Sequence, residues 1–157
     1  MKILIATDGS EFSKAAVETC CRTTINVENT EIKVVSVFEP AIMVATAPYV
    51  MPVQYDASFE TGLREHAEQS AAKTEEQIRV RFPDLKENLT TEILRGAPAQ
   101  AIVEKAEEWG ADLIVVGSHG YGFWERIFLG SVSNAVVHHA PCSVLVVRKS
   151  KLENDIH

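Results

Sequence analysis

Five short apolar segments alternate with longer amphipathic segments along the chain. The apolar segments are rich in β-branched residues and have the length of strands, whereas the intervening segments repeat apolar side chains at helical spacing. Strands that alternate with helices predict an α/β fold, in which a single doubly wound, Rossmann-like parallel sheet carries helices on both faces. The five predicted strands are Lys2–Ala6, Ile32–Phe38, Leu89–Leu94, Leu113–Val116 and Ser143–Val147.

Start and stop signals place the helices between these strands. Ser10 is in position to cap the first helix, and Pro83 follows the end of a long second helix whose apolar stripe begins at Phe59. Gly110 is the predicted C-cap of the third helix. His139 falls on the apolar stripe of the last helix and is therefore predicted to be a core histidine.

The composition limits the classes of partner. The net charge of −7 disfavours a surface for nucleic acid or for an anionic membrane. The first apolar segment is too short for a secretory signal, and no apolar run approaches the length of a membrane span, so we expect a soluble cytoplasmic protein. The cysteines lack the spacing of a zinc site, and Cys20 and Cys21 are predicted to pack as small apolar residues of the first helix.

One long segment, Ala41–Ala57, has no regular pattern. It contains two prolines, and Asp56 is its first charged residue. Long loops of this kind are uncommon in a compact domain and are often functional. Its apolar character predicts that it lies against the domain itself, a partner subunit or a ligand.

The segment after the fourth strand, Gly117–Ser131, combines four glycines with a serine at the predicted start of the last helix. It has neither the spacing of a GxxxxGK[ST] phosphate-binding loop nor that of the GxGxxG dinucleotide fingerprint. It still contains the elements of an anion site, because glycines permit close approach and a positive φ, and a helix N-terminus favours negative charge. Two interpretations stay open: a phosphate-binding loop in which Ser131 donates its hydroxyl, or a glycine-rich turn in which Ser131 caps the helix.

The spacing Gly117-x2-Gly120-x9-Gly130-Ser131 matches, at all four positions, the G-x2-G-x9-G-[ST] pattern of ATP-binding members of the universal stress protein family. Three further segments resemble the same family, namely Thr7–Ser10, Gly96–Ile102 and His139–Val147. The resemblance spans residues 1–148. These residues are therefore expected to form one nucleotide-binding domain, followed by a polar C-terminal tail over residues 149–157.

The resemblance implies a sheet of order 3-2-1-4-5 and a homodimer. In the family the last strand commonly pairs with its copy across the dimer axis, which here would involve Ser143–Val147. An apolar edge strand invites uncontrolled pairing, and an isologous pair would cover it. The implied partners are an adenine nucleotide and a second copy of the chain, with no nucleic acid and no membrane.

The resemblance also implies how the base and the ribose would be held. Thr7 and Val37 would flank the adenine. Asp8 would face the ribose or a metal–phosphate cluster, and Gly117 would lie near the ribose. The alternatives are that Asp8 only shapes its turn and that Val37 is an ordinary core valine.

The remaining motif residues, Gly120, Gly130 and Ser131, would hold the phosphates through backbone amides and a hydroxyl. The implied cofactor is ATP, or ADP or AMP. Magnesium or manganese would sit on the phosphates with few protein ligands, Asp8 being the candidate.

For three further features of the glycine-rich segment, solvent exposure or packing is the alternative to a contact with the nucleotide. We expect His119 to face solvent rather than a phosphate, and Arg126 to be an exposed cation. The apolar stretch Phe123–Leu129 is either a flap over the nucleotide or a contact with the second subunit, and packing is the favoured alternative.

Catalytic signatures are missing from the sequence: neither GxSxG nor HExxH occurs. The predicted function is therefore that of a nucleotide-dependent regulatory module of the stress response rather than a dedicated enzyme. Two alternatives stay open: a slow ATPase that uses Asp8 and a metal, and a dimeric interaction protein that does not depend on ATP.

Overall fold

The structure is a computed structural model that describes residues 1–40, 57–119 and 129–149. Its strands are parallel and form one sheet in the order β3-β2-β1-β4-β5. They are β1 (Lys2–Ala6), β2 (Glu31–Phe38), β3 (Leu89–Arg95), β4 (Leu113–Gly117) and β5 (Ser143–Val147). The predicted α/β fold is confirmed, as is the strand order that the family resemblance implied.

In the described part of the chain, four α-helices cover the two faces of this sheet. They are α1 (Glu11–Thr23), α2 (Ala57–Arg81), α3 (Pro98–Trp109) and α4 (Ser131–His139). The first two pack on one face and the last two on the other. In the central strand, Ile3 and Ile5 belong to the first core and Leu4 to the second, and all three are fully buried. Burial on both faces explains why β1 is a continuous apolar run.

The predicted caps of α1 and α3 are present. The Ser10 hydroxyl accepts a hydrogen bond from the Ser13 N–H at 3.2 Å, which satisfies one of the amides left open at the start of α1. Gly110 ends α3 in the left-handed region, with φ of 70°, a conformation that costs glycine little.

Two predicted core residues are exposed. Phe59 lies near the start of α2 and is 57% exposed, because a helix of 25 residues is about 37 Å long and extends beyond the eight-residue strand β2. The buried side of α2 begins later, at Ala67. His139 is the last residue of α4 and is also exposed, since Val136 and Ser133 occupy the buried side of that helix.

The prediction for the paired cysteines is confirmed. Cys20 and Cys21 are buried in the core between α1 and the sheet. Burial raises the pKa of the Cys20 thiol to about 12 and also raises the pKa of Cys21. Both side chains therefore act as small apolar residues rather than as reactive thiols.

The start of α1 and the end of β4 are in very close contact at Gly117. A Cβ atom on this glycine would lie 2.6 Å from the carbonyl carbon of Phe12 and 2.8 Å from the backbone nitrogen of Ser13. From the other face, the Ser133 hydroxyl donates to the Gly117 carbonyl at 2.6 Å. The φ of Gly117 is not positive, so close packing of the backbones, rather than a special conformation, requires glycine here.

A network of charges links the amino-terminal half of the sheet to α3. The Glu92 carboxylate lies 2.7 Å from the Lys105 ammonium and 3.1 Å from the Lys33 ammonium. Lys33 and Lys2 both lie over the Trp109 ring, 5.5 and 5.4 Å from its centre. The hydrogen bond from Lys105 is the main cause that lowers the pKa of Glu92 below its ordinary value.

Replacing Gly117 by alanine should destabilise the fold by about 1–3 kcal/mol, because the added methyl group requires α1 to move away from β4. The free energy of unfolding in urea measures the loss. Gly62→Ala in α2 is the matched control, since a Cβ atom there meets nothing within 4 Å and alanine favours a helix by up to about 1 kcal/mol. Equal stability of Gly117→Ala and the unmodified protein would contradict this account of the contact.

Glu92→Gln should lower the free energy of unfolding at neutral pH by about 0.5–1 kcal/mol, a small loss because the pair is partly exposed. A carboxylate whose pKa is lowered in the folded state stabilises the protein above its ordinary pKa, here 4.5, and loses this effect as the pH falls. The difference between Glu92→Gln and the unmodified protein should therefore shrink between about pH 7 and about pH 3. Urea titrations across this range test the prediction; a difference that stays constant would contradict it.

Candidate functional site

A cleft of about 310 Å³ opens at the carboxyl edge of the sheet. It lies where β1 ends between β2 and β4, with the first turns of α3 and α4 above it. In a doubly wound sheet this edge is the usual ligand site, because the connections leave the central strands in opposite directions there. The lining residues are Ala6, Thr7, Asp8, Val35, Val37, Pro98, Ile102, Val116, Gly117, His119, Gly130, Ser131, Val132 and Ser133.

The floor of the cleft forms because β2 continues past the end of β1. The Thr7 N–H still donates to the Val35 carbonyl at 2.9 Å. In a regular parallel ladder the next hydrogen bond would join the Val37 N–H to the Thr7 carbonyl. These two groups form no hydrogen bond with each other, so the sheet opens at this point and the Val37 peptide faces the cleft.

One wall of the cleft is apolar. It is formed by Val35 and Val37 of β2, Val116 of β4 and Ile102 of α3. The fully or largely buried members of this set, such as Val35 and Ile102, belong to the core under α3 and α4. A wall of this kind suits the face of a flat, weakly polar ring.

The start of α4 forms the opposite wall. Its N-cap is Gly130, with φ of −59° and no side-chain capping hydrogen bond. The interpretation that Ser131 caps this helix is therefore wrong: Ser131 is the first helical residue, and its side chain is exposed. The Gly130 N–H donates to the Ser118 carbonyl at 2.8 Å. The amides directed out of this helix terminus are thus those of Ser131, Val132 and Ser133 rather than that of Gly130.

The turn after β1 supplies the one carboxylate among the described lining residues. Asp8 is half-buried, and its Oδ1 accepts a hydrogen bond from the Ser10 N–H at 2.9 Å. Asp8 therefore shapes its turn and also lines the cleft. Gly9 follows with φ of 78°, and its N–H donates to the Thr7 hydroxyl at 3.3 Å.

The Thr7 side chain is engaged beneath the turn. Its hydroxyl donates to Ser13 at 3.2 Å and accepts from Thr74 of α2 at 3.2 Å. All three residues are at most 5% exposed. Thr7 therefore lines the cleft while its hydroxyl is directed to α1 and α2, which fixes the end of β1 against both helices.

His119 differs from its predicted, solvent-facing position. It is half-buried, lines the cleft and packs on Phe12, with 5.2 Å between the ring centres. Its Nδ1 lies 3.0 Å from the Ser118 hydroxyl. This position could not be found from the sequence because the packing partner comes from α1, far away in the chain.

The cleft collects six of the seven residues assigned to the nucleotide site from the sequence; the seventh, Gly120, lies outside the described residues, as do most of Phe123–Leu129 and of Ala41–Ala57. Pro98 and Ile102 were not assigned to the site. The sequence could have indicated these two residues, because they lie in the first turns of the helix that follows β3, and this helix must begin at the same edge of the sheet.

Two classes of feature are absent from the described ranges. No cluster of three or more histidine, cysteine, aspartate or glutamate side chains there has the geometry to hold a metal ion. Within residues 1–40, 57–119 and 129–149, no helix combines the length and the apolar character needed to cross a membrane.

Comparison with known proteins identifies relatives of the whole fold. A universal stress protein of Methanocaldococcus jannaschii is 36% identical over 154 residues, which cover 97% of this chain and 84% of the relative. The structure of the universal stress protein UspA from Lactobacillus plantarum matches with a TM-score of 0.72 and 27% identity, over 94% of this chain and 97% of that one. A universal stress protein from Arabidopsis thaliana, solved with AMP bound, shares the fold with a TM-score of 0.63 and 18% identity, over 98% and 94% of the two chains.

The sequence as a whole agrees with these likenesses. The family model described as the universal stress protein family matches residues 1–148, which include every strand and helix described above. The match therefore rests on the complete sheet and its covering helices rather than on the glycine-rich segment alone. This chain belongs to the universal stress protein family.

Proposed function

We propose that the chain binds an adenine nucleotide, preferably ATP, in the cleft between β1, β2 and β4, and that occupancy regulates its part in a stress response. The observation that carries this proposal is the convergence of Thr7, Asp8, Val37, Gly117 and Gly130–Ser131 on one cleft. The spacing of Gly117, Gly120, Gly130 and Ser131 matches the family's ATP pattern, and the solved Arabidopsis relative holds AMP. We propose that the chain does this in the cytoplasm, as a nucleotide-binding regulatory protein.

The two walls of the cleft match the two halves of a nucleotide. The apolar wall at Val37 and Ile102 would hold the base, and the Val37 peptide would present hydrogen-bonding groups to its edge. The phosphates would lie at the start of α4, where free amides and the helix dipole favour negative charge. Backbone groups of this kind bind an anion without lysine or arginine, so the net charge of −7 is compatible with the site.

A divalent cation fits this arrangement only as a companion of the phosphates. Asp8 is the single carboxylate among the described cleft residues, and one of its oxygens already accepts from the Ser10 N–H. Magnesium commonly keeps several waters and uses one or two carboxylates together with substrate phosphates. We propose Asp8 as its protein ligand, which would add neutralising charge beside the phosphates.

Titration of the purified chain with ATP in the presence of magnesium, by calorimetry and by thermal melting, tests the proposal. At 100 times its Kd, bound ATP should stabilise the fold by about 2.7 kcal/mol.

Ser131→Ala should weaken ATP binding by about 1.5–3 kcal/mol if its hydroxyl donates to a phosphate, while the unliganded fold keeps its stability because the side chain is exposed.

Ser131→Thr is the matched control, since it keeps the hydroxyl and the family pattern accepts either residue. Gly62→Ala, in open space on α2, controls for glycine replacement when Gly130→Val is used to crowd the start of α4, where a Cβ atom would lie 3.3 Å from the Cα of His119 and from the carbonyl oxygen of Ser118. The absence of binding of ATP, ADP and AMP by the unmodified protein would refute the proposal. Turnover above the buffer rate that is lost in Asp8→Ala would instead favour the slow ATPase.

We also propose a homodimer in which β5 pairs with its copy. β5 is an edge of the sheet, and its Val144, Leu145 and Val146 are only partly buried. The Val147 carbonyl accepts from the Ser118 N–H that follows β4, so the alternation of a parallel strand directs the peptide groups of Val146 outward. An apolar edge with outward peptide groups supports pairing with a second copy.

Val146→Pro should convert the dimer to a monomer, because proline removes an outward N–H while the hydrogen bond between Ser118 and Val147 is kept. Light scattering after size-exclusion chromatography measures the mass, and circular dichroism checks that the variant is folded. Thr91→Pro on β3, the opposite edge strand, is the control and should stay dimeric. A folded Val146→Pro that remains a dimer would place the interface elsewhere.

A further inference from the structure

The peptide group between Asp8 and Gly9 is held at both of its ends by groups that lead to α2. Its carbonyl oxygen lies 3.3 Å from Nε2 of His66, a residue of α2. Its N–H donates to the Thr7 hydroxyl at 3.3 Å, and that hydroxyl in turn accepts from Thr74, two helical turns further along α2. α2 therefore touches the turn beside the cleft at two points.

Glycine at position 9 allows this peptide to adopt a second orientation. Gly9 has φ of 78°, and glycine adopts positive and negative φ with similar ease. Common turn types differ by the rotation of one such peptide, which exchanges the directions of its C=O and N–H. The hydrogen bonds to His66 and Thr7 favour one of the two orientations.

The favoured orientation matters for an anionic ligand. α2 packs on one face of the sheet, whereas the cleft is lined by α3 and α4 from the other face. With its oxygen in contact with His66, the peptide has the negative end of its dipole paired with a residue of α2, which does not line the cleft. A rotated peptide would turn the oxygen to the side on which the ligand lies, where it would repel phosphate.

The chemistry of this contact also indicates which ring nitrogen of His66 carries a proton. A backbone carbonyl only accepts hydrogen bonds, so Nε2 of His66 must carry a proton. The contact therefore selects the Nε2–H form of the ring over the Nδ1–H tautomer.

We propose that His66 is a positioning residue of the cleft: by donating from Nε2 to the Asp8 carbonyl, it locks the Asp8–Gly9 peptide in the orientation that admits an anionic ligand. The ligand part rests on the proposed nucleotide function. The lock itself is a property of the unliganded chain and is tested separately.

The first experiment uses no nucleotide. In ¹⁵N spectra of the unmodified protein, the His66 ring should show a protonated Nε2, and the Gly9 amide should be protected from exchange. His66→Leu should shift the Gly9 amide and speed its exchange, whereas His66→Gln, which keeps a donor, should restore both. Gln69→Leu, an exposed neighbour on α2, is the control and should leave Gly9 unchanged. A Gly9 amide that is the same in His66→Leu would overturn the lock.

The second experiment measures the affinities of these four proteins for ATP and for uncharged adenosine. His66→Leu should bind ATP about two- to tenfold more weakly, the range expected for one lost hydrogen bond, with a smaller effect on adenosine. His66→Gln should recover the ATP affinity. Equal ATP affinities in His66→Leu and the unmodified protein would overturn the positioning role. Failure of the unmodified protein to bind ATP would defeat the proposed function, and the spectra alone would then decide whether the lock exists.

Discussion

β1 is the central strand of the sheet and ends before its neighbour β2, and this difference in length determines where a ligand fits. Ile3, Leu4 and Ile5 are fully buried between two layers of helices, so the strand cannot shift without exposing core on one face or the other. The carboxyl end of β1 is also held in place, because the Thr7 hydroxyl forms hydrogen bonds with Ser13 of α1 and Thr74 of α2. The cleft is the space that the fixed end of β1 leaves between β2 and β4, which both continue past it.

Much of the fold was predictable because the relevant forces are local or periodic. The strands were found from apolar runs, and the caps at Ser10 and Gly110 were found from side chains that satisfy backbone groups nearby. Phe59 and His139 were wrongly assigned to the core because periodicity gives the face of a helix but not where the sheet beneath it stops. How far α2 extends beyond β2 depends on the tertiary structure and is not contained in any local pattern.

The candidate site was less predictable for a similar reason. The topology rule for parallel sheets selected the edge at which the cleft opens, and the family resemblance assigned Gly117 to the nucleotide, whereas the close contact with Phe12 of α1 requires a glycine there. The sequence left two roles open for Ser131, capping α4 or donating its hydroxyl to a phosphate. Only the position at which α4 begins in the structure excluded the cap. Contacts such as those of His119 with Phe12 and of His66 with Asp8 join residues that no local pattern relates.

The buried cysteine pair of α1 has a consequence for how this protein can be observed. Burial raises the pKa of the Cys20 thiol to about 12 and keeps its side chain from solvent, so it reacts slowly with an alkylating reagent in the folded state. Cys20 and Cys21, in the last turn of α1, become reactive when this part of the helix opens away from the core, whereas Cys142 is partly exposed. Their labelling rate therefore reports how often the first helix opens, and any molecule that holds the β1–α1 turn closed slows this rate without touching a cysteine.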